Sequence, residues 1–243
     1  MKKISLLVFA LSILLMLGTK SRADEGMKHG GDAGMKMHHL HMMMNHGLKM
    51  ATEGSNLVML SDMKMAPGVD EITHKHGHDM IAKGKETILN SLNGPEMMSM
   101  MKGEHAKSGA MQYTHELGND MLKYVDMLEK MAKAGPMKPG HMAMHHQHMA
   151  INHALGMALD GSNMNMMGKM GMAGSVDDFS VGHGTVMTKD ARSLLNSVMQ
   201  DKTMIDMHKA GKSPEKDPMM MKTHNLSSTA MKIMDKLSKM SGM

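Results

Sequence analysis

The sequence contains no cysteine and no tryptophan, and its aromatic residues number four, two Tyr and two Phe. The missing thiol excludes disulfides, thiolate metal ligation, a blue-copper centre, covalent c-type haem attachment and a cysteine nucleophile. The scarcity of aromatics leaves little to stack on bases or to flank a porphyrin. Neither Gly-x-Ser-x-Gly nor His-Glu-x-x-His occurs, so two common hydrolytic signatures are missing as well. Alternating apolar and polar runs of the kind a half-buried strand needs are also absent. These gaps point to an all-α protein that acts without turnover of a substrate.

What fills the space is methionine and histidine, 42 and 18 of 243 residues. The chain opens with two lysines, an apolar run from Ile4 to Leu17 and the tripeptide Ser21-Arg22-Ala23. That run is short for a bilayer span and has the layout of a secretory signal, so residues 1–23 are expected to be cleaved on export to the periplasm. Cleavage removes Lys2, Lys3, Lys20 and Arg22 and no acid, which leaves 24 basic and 24 acidic side chains. The alkaline pI of 9.1 therefore belongs to the leader. The exported part is formally neutral, with no electrostatic footprint for nucleic acid and no basis for stable membrane insertion.

The exported part is a tandem duplication. MHHLHMMMNHGLKMATEGSNLVMLSDMKMA at 37–66 matches MHHQHMAINHALGMALDGSNMNMMGKMGMA at 144–173, and the match continues through His76-Gly77 with His183-Gly184, Leu89-Asn90-Ser91 with Leu195-Asn196-Ser197, and Thr114-His115 with Thr223-His224. The organisation read from this is a Met/His/Gly-rich leader at 24–36, a first repeat at 37–132, a Gly/Pro-rich linker at 133–143 and a second repeat at 144–243. In the first repeat a helix is expected from about Met37 to Met63, with Gly54-Ser55-Asn56 as a kink or cap pair. Asp70 is expected as the N-cap of a helix to about Leu92. Asn93-Gly94 stops it, Pro95 opens a short helix to about Lys102, and a last helix runs from about Gly109 to Ala132. The second repeat follows the same plan. The fold class is all-α, two tandem antiparallel helical bundles of about four helices each, one of them short.

Within the first helix His39, Met42, His46 and Met50 are spaced 3, 4 and 4, one stripe of a helix, and His146, Met149, His153 and Met157 repeat them. The flanking Met43 and Met44 become Ala150 and Ile151, so the stripe is kept where its neighbours are not. Similar pairs occur as His76 with Met80, His183 with Met187, Met111 with His115 and Met220 with His224, while the short helix offers Met98 and Met101, matched by Met204 and Met207. Six histidine positions are shared between copies: 38, 39, 41, 46, 76 and 115 with 145, 146, 148, 153, 183 and 224. His29, His74, His78, His105, His141 and His208 have no counterpart. Leader residues Met27, His29, Met35 and Met37 are additional donors.

Thioether sulfur is a soft neutral ligand that selects copper(I), and imidazole serves copper in both oxidation states. Copper(I), with silver(I) or copper(II) as its alternatives, is therefore the expected ion, held by faces of Met and His pointing into or between the bundles. A Met stripe at helical spacing is also how a core is built. A Met-rich helical scaffold that binds partners or absorbs oxidant as sulfoxide thus explains the methionines without metal. A haem held between His and Met is a further alternative, and a di-iron site is opposed by Glu71 and His74 becoming Asp178 and Val181. With motifs such as MHHLHMMMNH and HMAMHHQHM, the chain resembles the periplasmic Met- and His-rich copper and silver binding proteins of bacterial metal-resistance systems. The resemblance implies sequestration, storage or handover of metal, with a periplasmic donor or export system as partner.

Overall fold

The computed structural model describes residues 32–65, 67–102, 109–135, 142–202, 205–206 and 218–242. Residues 1–23 and the leader as far as residue 31 lie outside the described residues. The order is α1 (Asp32–Asp62), α2 (Asp70–Asn93), α3 (Pro95–Lys102), α4 (Gly109–Ala132), α5 (Met142–Lys169), a 3₁₀ turn (Gly174–Val176), α6 (Asp177–Met199) and α7 (Pro218–Gly242). No strand occurs among the described residues, and the all-α helical bundle holds.

Two local expectations are corrected. α1 runs without a break through Gly54-Ser55-Asn56. Gly54 is there for packing: a Cβ on it would lie 2.5 Å from the Gly77 carbonyl oxygen of α2. Its counterpart Gly161 would meet the Gly184 oxygen of α6 at 2.6 Å. Each repeat therefore opens with a helical hairpin whose backbones come close only because these positions lack side chains. Asp70, in turn, is not a cap. Val69 precedes the helix without a side-chain cap, and Asp70 and Glu71 occupy the first turn, where carboxylates oppose the positive end of the helix dipole.

The hairpins close on well-formed stops. After α1, Met65 N–H donates to Leu60 O at 3.1 Å and Lys64 N–H to Ser61 O at 2.9 Å, with Lys64 left-handed at φ 57. After α5, Met172 N–H reaches Met167 O at 3.0 Å and Gly171 N–H reaches Gly168 O at 3.1 Å, with Gly171 at φ 68. This is the same six-to-one C-terminal closure in both copies.

The repeats pack on each other around one continuous core. α1 lies against α2, α4 and α5, α5 lies against α6 and α7, and α4 meets α7 across the repeats. The contact between α1 and α5 is pseudo-twofold. Asn45 Nδ2 donates to Asn163 Oδ1 at 2.8 Å and Asn152 Nδ2 donates to Asn56 Oδ1 at 2.9 Å, each residue being the counterpart of one in the other pair. The ion pair Lys85–Asp126 is likewise echoed by Arg192–Asp235, both at 2.8 Å. One departure from the symmetry sits at the centre: the fully buried Tyr124 donates its hydroxyl to Asn152 Oδ1 at 2.8 Å.

Candidate metal centre

Three sectors of α1 are consumed by packing, and the fourth carries the stripe. Gly47 and Gly54 face α2, Asn45, Lys49 and Asn56 face α5, and Met44 and Leu48 are fully buried in the core. His39 and His46 are consequently exposed, and Met42 and Met50 are half-buried. The second repeat reproduces this: His146 and His153 exposed, Met149 and Met157 half-buried. His76 and His183 are exposed and Met80 and Met187 half-buried. The Met80 Cβ is 2.7 Å from where a Gly54 Cβ would stand, and Met187 Cβ 3.0 Å from that of Gly161. Met80 thus lies on the α1–α2 seam one helical turn from Met50, and Met187 does the same beside Met157. The candidate histidines on α1 and α2 face outward, while Met42 and Met157 pack against the edge of the core.

On α3 the side chains that turn inward are Met97 and Met100, whereas Met98 and Met101 are 44% and 46% exposed. Met111 and Met220 are buried. His115 is exposed, with Nδ1 2.9 Å from Asn119 Nδ2, and His224 is half-buried. Met101, Met111 and His115 do come together, with Gln112 and Glu116, around an open pocket of about 320 Å³. Met35 is exposed and Met37 half-buried. Met204, Met207, Met27 and His29 lie outside the described residues.

The imidazoles buried in the interior are His41, His145 and His148; of these His41 and His148, which occupy equivalent positions off that stripe, each meet a threonine. His41 Nε2 lies 2.7 Å from Thr114 Oγ1 of α4, and His148 Nε2 lies 2.7 Å from Thr223 Oγ1 of α7. Thr114 has one hydroxyl proton and a helical carbonyl to receive it, Ala110 O at 2.8 Å. Its oxygen then accepts from His41 Nε2–H, which leaves Nδ1 as an unprotonated lone pair. That Nδ1, and the Nδ1 of His148, are buried without a hydrogen-bond partner. In the first repeat one thioether touches this pair. Met37 Sδ is 3.0 Å from Thr114 Oγ1, and Met44, Met97 and Met111 are buried in the core that takes in the start of α1. In the second copy Met144 and Met220 are buried.

Electrostatics keep both imidazoles neutral. Burial, with His38 beside it, pushes His41 down to about 3, and burial, His145 and Lys222 push His148 down to about 3. Their lone pairs stay open to a cation in mildly acidic surroundings, where an ordinary histidine is protonated. Among the described residues no three His, Asp or Glu side chains already surround one point. The recurring arrangement is one buried imidazole held by a threonine, with a thioether on that threonine in the first copy.

No family model, curated protein or solved structure matches the chain. His41 could have been found from the sequence: Met37, His41, Met44 and Leu48 are also spaced 4, 3 and 4, and Thr114 stands beside His115 in a pair that both copies share.

Proposed function

We propose that this protein binds copper(I) or silver(I) through Met and His in the cell envelope, and buffers, stores or hands over the ion without turnover. The observation that carries this reading is the pair of buried Nδ1 atoms on His41 and His148, each with its ring held from the far side by a threonine. A buried acceptor left without a partner costs about 1–3 kcal/mol, and the fold bears that cost at equivalent places in both copies. A ring nitrogen fixed through a hydrogen bond on its other nitrogen is how proteins present imidazole to metal. Neighbouring thioethers add soft donors without adding charge, which suits a monovalent ion in a dry interior. On this reading the exposed His39, His46, His76 and their counterparts are outer donors from which ions are collected.

The test is anaerobic titration with copper(I) against a competing chelator, comparing the wild type with His41→Gln/His148→Gln. Glutamine keeps an amide donor for the threonine and removes the imidazole lone pair. Loss of two copper(I) equivalents, with zinc unable to displace those of the wild type, is the expected result. An unchanged count in the double variant would sink the assignment.

A second reading is favoured by a different observation: many thioethers stand in solvent, among them Met65 at 60% and Met172 at 58% exposure, at equivalent positions. Surface methionines can take up oxidant as sulfoxide. Brief peroxide treatment followed by peptide mass analysis checks it, with Met65 and Met172 oxidised before Met44 and Met121 while the helical signal persists.

A further inference from the structure

The junction of the end of α1 with the starts of α2 and α5 gathers donors of another kind. Asp62 closes α1 with its side chain only 9% exposed, and His74 Nε2 lies 3.7 Å from Asp62 Oδ1. One turn along α2, the His78 ring is 4.7 Å from that of His74. His145 of α5 lines, together with Asp62 and Met59, a narrow cavity of about 30 Å³. Burial pushes the Asp62 carboxyl above its ordinary range, while His74, His145, His78 and Lys64 pull it back. All three imidazoles are thus within electrostatic reach of one shielded carboxylate.

Nitrogen and oxygen donors of this sort suit a borderline divalent ion rather than copper(I). Two histidines four residues apart on one helix face are a familiar pair of zinc ligands. Ligands at the usual 2.0–2.1 Å from a tetrahedral zinc stand roughly 3.3 Å from each other, so Asp62 and His74 need to close by only a few tenths of an ångström. We propose that Asp62, His74, His78 and His145 form a single site for a divalent borderline metal, zinc(II) foremost, at the junction of the two repeats. His78 and His145 complete it by turning their rings toward the ion. Lys64, Lys133 and Lys222 face the cluster and oppose a cation. Lys133 is held by Glu129 at 2.6 Å, and Asp79 beside His78 adds negative charge on the same helix.

The duplication supplies the control. The second copy carries Lys169, Val181 and Thr185 where the first has Asp62, His74 and His78. The counterpart of His145, His38, is held below its ordinary range by burial and by Lys169. The charge at this position is reversed, and the described residues of the second copy do not repeat the site. This site does not depend on the soft-metal reading.

The experiment is a zinc(II) titration of the full chain against a chromogenic chelator, for the wild type, His74→Ala/His78→Ala, Asp62→Asn and His41→Gln/His148→Gln, with far-UV circular dichroism for each. His74→Gln/His78→Gln replaces the alanine pair if that variant loses helix. The wild type should bind one zinc per chain, and the α2 double variant should bind at least about 100-fold more weakly, beyond what loss of a mere supporting partner costs. Asp62→Asn should weaken binding. Cobalt(II) in the same site should give visible ligand-field absorption that the α2 variant abolishes. No zinc bound by the wild type, or equal binding by a folded α2 variant, overturns the proposal. Copper(I) titration of the same proteins separates the two readings: one zinc without copper(I) keeps this site and removes the proposed function, and the reverse result does the opposite.

Discussion

The two repeats agree in most of their interior contacts and differ at their rims and at one central, buried position. Both keep a histidine bonded to a threonine across the bundle, a Gly–Gly contact at the hairpin and an asparagine pair across the pseudo-twofold axis. Around these, Asp62 stands opposite Lys169, Tyr124 opposite Ile233, and Lys64 opposite Gly171. Asp62, Lys64 and their counterparts stand where solvent or a flexible neighbour absorbs the change, whereas Tyr124 and Ile233 are both fully buried. The shared ones are those where a close backbone contact or a buried hydrogen bond would be lost. Buried His41 and His148 fall in the second group although a hydrocarbon would pack there at lower cost.

The largest test of this equivalence uses acid. His41 and His148 are pushed to about 3 in the fold, against about 6.5 in an unfolded chain. Between those values the unfolded chain binds more protons, so stability is retained above about pH 6.5 and lost as pH falls toward 3. At pH 5 the loss is roughly 2 kcal/mol for each imidazole. Urea unfolding at pH 7 and pH 5 should show this loss in the wild type, half of it in His41→Gln or His148→Gln alone, and nearly none in the double variant. Unequal halves would break the equivalence of the copies, and an unchanged slope in the double variant would show the acid sensitivity to lie elsewhere.

The helices were largely legible in the sequence because periodicity, Asn93-Gly94 and Pro95 are local signals, and α3 and α4 begin and end where those signals place them. The site was less so. The stripe of His39, Met42, His46 and Met50 is real, but a period of 3.6 says only that residues share a face, not which face meets a neighbour. That was decided by Gly47, Gly54 and the asparagines, whose message lies in pairing with residues far along the chain. Gly54-Ser55-Asn56 looked like an interruption because glycine weakens an isolated helix, whereas here the contact with Gly77 repays it. Asp62, His74, His78 and His145 come from three helices, and only the i, i+4 pair His74 and His78 is announced by spacing.

The hairpin contact gives the next largest effect, and one that should be equal in both copies. Gly54→Ala puts a methyl 2.5 Å from the Gly77 oxygen, and Gly161→Ala puts one 2.6 Å from the Gly184 oxygen. Each should cost about 1–3 kcal/mol of overpacking, enough to exceed the gain of about 1 kcal/mol in helix propensity. Gly156→Ala, with nothing within 4 Å, should show that gain alone in thermal or urea unfolding. Stabilisation by Gly54→Ala would mean that the hairpin is looser than its geometry.

Tyr124→Phe sharpens the comparison from the opposite side, since Ile233 shows that the second copy does without the hydroxyl. It leaves Asn152 Oδ1 buried without the donor at 2.8 Å, at a cost of about 1–2 kcal/mol. Tyr113→Phe loses a bond to the Lys236 carbonyl at 2.8 Å from a half-buried ring, where water replaces the partner. Its effect should be smaller, and equal losses in the two variants would show that the centre of the axis is wetter than Tyr124 indicates.

The smallest effect is a gain. Lys64 and Gly171 occupy the same left-handed position after α1 and α5, at φ 57 and φ 68. Only the second copy has the residue for which that conformation is without steric penalty. Lys64→Gly writes the second copy into the first and relieves about 1 kcal/mol of left-handed strain, less the added freedom of glycine in the unfolded chain. A stabilisation of a few tenths to about 1 kcal/mol in urea unfolding is expected. The reciprocal Gly171→Lys should destabilise by a similar amount. If Lys64→Gly instead destabilises, the lysine stem earns its place by packing across the turn or through its charge beside Asp62. The Asp62→Asn background then decides between them, because a charge contribution disappears there and a packing contribution does not.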